Sequence, residues 1–168
     1  MGPYDCVMVD DRWLTVEQQR SWRAWLAVSA LLPDRLEHEL KSAHDLSLAE
    51  YEILVRLSEE PERRLRMSEL ASRTLASKSR LSHQVSRMEA SGLVSRVGCL
   101  EDGRGSYAQL TDHGWHVLVK AAPCHVASVR HWLVDAVPAE DFDRLGSIMA
   151  VVVEHLATAE SPTVGHSG

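Results

Sequence analysis

The segment MSELASRTLASKSRLSHQVSRMEASG, residues 67–92, decides the predicted fold. Ser68 can cap a short helix, and the few residues after that helix leave room only for a tight turn. A second helix is predicted to begin at Lys78 and to end near Ser91, with Gly92 as its C-cap. Two helices joined by so tight a turn are typical of a helix-turn-helix motif.

The second of these helices is predicted to expose a polar surface that suits DNA. Burial of Leu81, Val85 and Met88 on one face turns the polar residues outward, and no acid occurs among them before Glu89. A face selected only for solubility usually mixes Glu with Lys. We expect base-edge contacts from Arg80, Gln84, His83 and Ser82, and contacts to phosphate from Lys78, Ser79 and Arg87. A solvated polar face remains the simpler interpretation of this helix taken alone.

A β-hairpin is predicted to follow the second helix. Residues 93–97 and 106–110 have the character of short strands, and Gly98, Gly103 and Gly105 supply the turn between them. This hairpin would form the wing of a winged helix-turn-helix.

Positive charge is concentrated in this part of the chain. The protein has a net charge of −6, yet residues 61–104 carry +4 and the remainder carries −10. A local basic segment on an acidic body is the charge distribution expected of a DNA-binding module.

Long helices are predicted on both sides of the motif. Capping boxes at Thr15 with Gln18 and at Ser47 with Glu50 begin two helices, and Pro33 is expected to kink or split the first.

On the C-terminal side, Thr111 is predicted to cap a long helix with a kink near Pro123, and Pro138 is predicted to be the first residue of the last helix. The apolar stripe of that last helix consists of Phe142, Leu145, Ile148, Val152 and Leu156. Broad apolar stripes at both ends of a chain call for a partner surface, so we expect a two-fold homodimer.

Three runs of sequence resemble the core of the MarR family: LSLAEYEILVRLSE, RMSELASRTLASKSRLSHQVSRMEASGLVSR and EDGRGSYAQLTDHG, which span roughly residues 46–114. The resemblance implies a mainly α fold, with a winged helix-turn-helix core, a two-stranded β wing, and long N- and C-terminal dimerisation helices. It implies that the second helix of the motif, which corresponds to Ser77 through Arg87 in this chain, enters the major groove. The family's Asp-x-Arg wing signature is matched by Asp102, which would brace the wing, and by Arg104, which would reach the minor groove.

Five regions follow from this layout. They are an N-terminal tail (1–14), a first dimerisation helix region (15–45), the DNA-binding module (46–111), C-terminal dimerisation helices (112–158) and a flexible tail (159–168). A two-fold dimer would read a pseudo-palindromic operator with half-sites about ten base pairs apart.

The resemblance also implies a cleft for a small aromatic or lipophilic acid that releases DNA. The residues that we assign to this cleft are Trp13, Trp22, Trp25, His44 and Tyr51. Arg23 lies near enough in sequence to pair with an anion. Aromatic residues on helices more often simply supply core, and that alternative stays open.

Other functions receive less support from the sequence. Cys6, Cys99 and Cys124 are too few and too widely spaced for a disulfide framework, although Cys99 near the wing leaves a redox-sensing regulator as an alternative. His113 with His116, and Cys124 with His125 and His131, do not complete a ligand set, so no metal or cofactor is expected.

We find no arrangement of nucleophile and base, and hence expect no enzyme. A protein-interaction module on a winged-helix scaffold is the remaining alternative. The longest apolar stretches, residues 24–32 and 148–153, are too short to cross a membrane, and the acidic N-terminus does not resemble a secretory signal. We therefore expect a cytoplasmic protein without a membrane partner.

Overall fold

The computed structural model describes residues 13–74, 76–98 and 106–158. Its helices are α1 (Val16–His44), α2 (Leu48–Ser58), α3 (Met67–Arg73), α4 (Lys78–Ala90), α5 (Asp112–Trp132) and α6 (Ala139–Thr158), with a short 3-10 helix at Val134–Ala136. Its strands are β1 (Arg64–Arg66), β2 (Val94–Gly98) and β3 (Ser106–Leu110). The mainly α winged-helix fold is thus confirmed.

Local capping signals locate most helix starts correctly. Both predicted capping boxes form, at Thr15 with Gln18 and at Ser47 with Glu50, and the Thr111 side chain accepts from the backbone N–H of Gly114. Each cap joins residues three apart in sequence, so the signal is complete within one helical turn.

The two internal prolines do not interrupt their helices. α1 continues through Pro33 and α5 continues through Pro123. Of the two outcomes predicted at Pro33, a kink or a split of the helix, the split was therefore wrong. A proline removes one intrahelical hydrogen bond, and the rest of each long helix keeps its own.

Three predicted helix ends differ by one or two residues. α3 begins at Met67 after Arg66, so Ser68 is not its cap. α4 ends at Ala90 with Ser91 as C-cap, and Gly92 follows in the left-handed region at φ 74°. α6 begins at Ala139, and the carbonyl oxygen of Pro138 accepts from the N–H groups of its first turn.

The wing belongs to a sheet of three antiparallel strands in the order β1-β3-β2. Ala108 of β3 lies between Leu65 of β1 and Arg96 of β2. β2 and β3 correspond to the two strands predicted from the sequence, whereas β1 was not predicted. Since β1 leads directly into α3, its pairing with β3 holds the chain extended as far as Arg66, and this explains why α3 starts at Met67.

A buried apolar core joins α2, α3, α4, the sheet and the N-terminal half of α5. Its members include Leu54, Leu57, Leu65, Leu70, Leu81, Val85, Met88, Val94, Ala108 and Ala121, each at most 3% exposed. The buried face of α4 is part of this core, which fixes the position of the helix.

The two ends of the chain contrast with this core. α6 contains no buried residue, and in α1 only Leu36 and Leu40, near its C-terminal end, are buried. No helix in the described part of the chain is long and apolar enough to span a membrane.

A polar contact fastens α1 to α5. Trp132 Nε1 donates to Glu39 Oε1 over 2.7 Å, and the buried Ser128 hydroxyl donates to the other oxygen of the same carboxylate. These two hydrogen bonds lower the pKa of Glu39, because they stabilise its charged form.

Candidate nucleic-acid interface

The helix α4 is anchored by its apolar face and capped at its start. Leu81, Val85 and Met88 are at most 2% exposed. The Ser77 hydroxyl accepts from the backbone N–H of Arg80 over 3.3 Å. The first turn of α4 contains no acidic residue, and it therefore carries the partial positive charge of a helix N-terminus without compensation.

Most of the residues predicted to contact DNA are exposed on this helix. They are Ser77, Lys78, Ser79, Arg80, Ser82, His83 and Arg87. The structure thus brings them together on one element, as the sequence pattern predicted.

Gln84 differs from the rest of the predicted set. It is half-buried, its Oε1 accepts from Arg87, and its Nε2 is buried without a hydrogen-bond partner in the described part of the chain. Position 84 follows Leu81 by three residues and precedes Met88 by four, so it borders the buried stripe of α4. Gln84 is therefore less exposed than predicted, and it lines a cavity of 220 Å³ beside α2.

Three acidic side chains of the module, Glu60, Glu69 and Glu89, make hydrogen bonds or ion pairs within it. Glu89 accepts from the backbone N–H of Arg96 over 3.0 Å. Glu69 and Glu60 each bind Arg73 at 2.6 Å. These contacts hold the three carboxylates away from the exposed face of α4, where Lys78, Arg80 and Arg87 are the charged side chains.

Arg96 on β2 is a residue that sequence reasoning missed. Its Nη2 donates to the backbone oxygen of Ser82 over 2.9 Å and to the Ser86 hydroxyl over 3.0 Å. The only signal in the sequence was a pair of serines four residues apart on a helix, which is too common to interpret. The contact joins positions ten and fourteen residues apart, across the turn between α4 and β2.

The far edge of the sheet carries further cations. Arg64 and Arg66 of β1 both lie over the Tyr107 ring, with 5.2 and 5.5 Å from each guanidinium carbon to the ring centroid. Arg66 Nε also donates to the Tyr107 hydroxyl over 3.1 Å. Asp102 and Arg104, the predicted wing residues, and Cys99 lie outside the described residues.

The residues assigned to a ligand cleft do not meet in one place. Trp13 is 86% exposed, and Trp22 and Trp25 are about half exposed on α1. Trp25 lines an apolar cavity of 810 Å³ together with residues of α5 and α6, including Trp132 and Met149.

Tyr51 lines a different cavity, of 300 Å³, between α2 and α5. Its ring lies 4.3 Å from the ring of His125, centroid to centroid. Burial lowers the pKa of His125 and raises the pKa of Tyr51, since in each case the charged form is desolvated. His44, at the end of α1, is half-buried.

Metal-ligating side chains are dispersed in the described residues. No group of three or more His, Cys, Asp or Glu side chains there could hold a metal ion. His116 Nδ1 lies 2.6 Å from the backbone oxygen of Asp112, which is a contact within its own helix.

Comparison with known proteins finds a family model and several solved structures that are similar to this chain. The model of the MarR family matches residues 44–105. AbsC, a MarR family transcriptional regulator from Streptomyces coelicolor, is 47% identical in sequence, with a TM-score of 0.84 over 88% of this chain and 99% of that chain.

Sco3205, a MarR family transcriptional regulator from the same organism whose structure is in complex with DNA, is 42% identical, with a TM-score of 0.88 over 92% of this chain and 96% of that chain. BldR, a transcriptional regulator from Sulfolobus solfataricus, is 25% identical, with a TM-score of 0.68 over 80% of this chain and 95% of that chain. No curated protein matches the sequence.

Proposed function

This chain belongs to the MarR family, whose members are transcriptional regulators and not enzymes, and from that premise we propose that it binds double-stranded DNA sequence-specifically as a homodimer. The observation that carries the proposal is the exposed face of α4. Its cations and hydroxyl groups stand on a helix whose opposite side is sealed into the core. A helix of this width fits the major groove of B-DNA.

A relative supports the DNA proposal independently of the surface chemistry. Sco3205, at 42% identity over nearly the whole of both chains, has been solved in complex with DNA. The chain proposed here to bind DNA therefore shares its fold and two-fifths of its sequence with a DNA-bound regulator.

The exposed apolar faces of the end helices support the homodimer. On α6 the fractional exposures of Ile148, Val151 and Leu156 are 50%, 67% and 70%. On α1 the side chains of Trp22, Trp25 and Leu31 are also exposed. A monomer rarely leaves so large a contiguous apolar surface in water, and a second copy would cover it.

The finer proposal concerns the regulatory response. We propose that the bound dimer represses a promoter and that a small aromatic or lipophilic acid releases it. The apolar cavity beside Trp25 and the smaller one beside Tyr51 are both large enough for part of such a ligand, with volumes of 810 and 300 Å³.

Selection of duplexes from a random library, followed by affinity measurements at two salt concentrations, tests the DNA proposal. We expect tight and salt-sensitive binding to the selected duplex and weak binding to a shuffled one. Arg80→Ala and Arg104→Ala are each expected to weaken binding about tenfold, whereas Arg130→Ala on α5 serves as a matched control.

Two outcomes would overturn the proposal. One is equal, weak binding to every duplex. The other is unchanged affinity and unchanged salt dependence in both Arg80→Ala and Arg104→Ala. The same assay with a panel of aromatic acids tests the effector, because loss of binding is expected with at least one of them.

A further inference from the structure

One stripe of α4 faces the strand that leads into the wing. Ser82, Ser86 and Glu89 recur at helical spacing along this stripe, and all three bond to Arg96 of β2. The stripe adjoins the buried residues Leu81, Val85 and Met88 of the same helix. Contacts made here therefore control the orientation of α4 relative to the wing.

A single nitrogen of Arg96 donates to three acceptors on this stripe. Its Nη2 lies 2.9 Å from the backbone oxygen of Ser82, 3.3 Å from the Ser82 hydroxyl and 3.0 Å from the Ser86 hydroxyl. Hydrogen bonds with a charged donor are stronger than neutral ones. The backbone N–H of Arg96 adds the bond to Glu89, so the residue is fastened to α4 from both its main chain and its side chain.

These contacts assign different roles to the two serine hydroxyls. The Ser86 hydroxyl accepts from Arg96 and donates to the backbone oxygen of Ser82 over 2.9 Å, and its hydrogen is therefore used within the helix. The Ser82 oxygen also accepts from Arg96, and in the described part of the chain its hydrogen is donated to no protein acceptor. Ser82 is exposed, so this O–H is available to donate to a molecule outside the protein.

We propose that Arg96 is a positioning residue for DNA recognition, which ties the recognition helix to the wing strand and fixes the Ser82 hydroxyl as a hydrogen-bond donor toward the DNA. The partner of such a donor is an acceptor on a base edge, such as N7 or O6 of guanine, N7 of adenine or O4 of thymine. The proposal rests on the DNA-binding function proposed above. Arg96 acts through Ser82 and does not itself read a base.

Selection from random duplexes tests this role with three variants. Arg96→Gln removes the charged donor, Ser82→Ala removes the presented hydroxyl, and the double variant combines them. Arg96→Gln is expected to lose base preference at the same base pair as Ser82→Ala. Its affinity for the duplex selected by the unaltered protein should fall about tenfold.

Binding to a shuffled duplex separates positioning from phosphate contact. A positioning residue leaves the affinity for shuffled DNA and the salt dependence of binding nearly unchanged. The losses from Arg96→Gln and Ser82→Ala should not add in the double variant, because both remove the same contact. Arg130→Ala is the control for loss of a surface arginine outside the module.

The Arg96→Lys variant tests whether the loss of base preference is merely a loss of stability. It keeps the charge, but a single ammonium at the end of a flexible chain does not reproduce the fixed fork of a guanidinium. We expect this variant to melt within a few degrees of the unaltered protein and to recover little of the base preference.

Three results would overturn the assignment. They are unchanged base preference in Arg96→Gln, additive losses in the double variant, and an equal loss on selected and shuffled DNA with a salt slope smaller by about one, which identifies a phosphate contact. If the unaltered protein itself selects no duplex, the proposed function fails. If it selects one and Arg96→Gln selects the same one, only this assignment fails.

Discussion

The helix-turn-helix module and the end helices use apolar residues in opposite ways within one chain. In the module, Leu54, Leu57 and Leu70 have no exposed surface. In α6 the apolar stripe repeats just as regularly, yet Val152 and Leu156 remain 44% and 70% exposed. The comparison teaches that helical periodicity identifies an apolar face but not the chain that will cover it.

The difference arises from what each helix has opposite it. The module closes on itself, because α2, α3 and α4 pack against one another and against the sheet. α6 packs against the short 3-10 helix that precedes it, and its long apolar face extends beyond that contact. The core of the module is thus completed within one chain, whereas the apolar faces of the end helices stay exposed in it.

The largest expected effect comes from placing a charge in the apolar face of α6. Ile148→Asp should convert the proposed dimer to monomers, raising the dimer dissociation constant about a hundredfold or more, since the charge would be buried without a partner. Sedimentation equilibrium measures this directly. Ser147→Asp, one residue away on the opposite side of α6, is the control and should leave the dimer intact.

An Ile148→Asp variant that stays dimeric at every concentration would contradict this division of the molecule. The partner would then have to be sought on another surface, such as the exposed apolar side chains of α5.

Two glycines, one in each region, differ in the space around their Cα atoms. A methyl group at Gly114 of α5 would lie 3.0 Å from the backbone carbonyl carbon of Leu93 and 2.8 Å from Leu110 Cδ1, whereas one at Gly146 of α6 would meet nothing within 4 Å. Gly114→Ala should lower the free energy of unfolding by about 3 kcal/mol, because backbone is the obstacle. Gly146→Ala should change it by less than about 1 kcal/mol, with helix propensity favouring alanine.

Urea unfolding at a fixed protein concentration compares the two glycine variants. An equal loss of unfolding free energy in both variants would mean that Gly146 is packed as tightly as Gly114. That result would contradict the open space around Gly146.

The smallest expected effect is a pH dependence at the boundary between the two regions. Burial against Tyr51 lowers the pKa of His125 below its ordinary 6.5, so the unfolded state binds its proton more readily. Stability contributed by neutral His125 is therefore present at neutral pH and declines as the pH falls below 6.5. The melting temperature of His125→Gln should fall less than that of the unaltered protein between pH 7.5 and pH 5.5; parallel curves would contradict this.

Local signals made much of the fold predictable from sequence. The caps at Thr15, Ser47 and Thr111 and the buried stripe of α4 each depend on residues within one or two helical turns. By contrast, β1 has only three residues, and its pairing with β3 joins positions more than forty residues apart. No pattern within Arg64–Arg66 indicates that pairing.

In the candidate interface, too, some features follow from local sequence and others depend on tertiary packing. Exposure of Lys78, Arg80 and His83 follows from helical periodicity alone. The partial burial of Gln84 depends on the residues of α2 beside it, and the hydrogen bonds of Arg96 to α4 depend on the path of β2. Both are tertiary facts, and sequence spacing does not contain them.

The most direct test of the account is the mass and footprint of the protein on its selected duplex. Native mass spectrometry should find two chains per duplex, and footprinting should find two half-sites about ten base pairs apart, centre to centre. Scrambling one half-site should weaken binding strongly. One chain on a single unrepeated site would contradict a dimer that reads DNA with paired α4 helices.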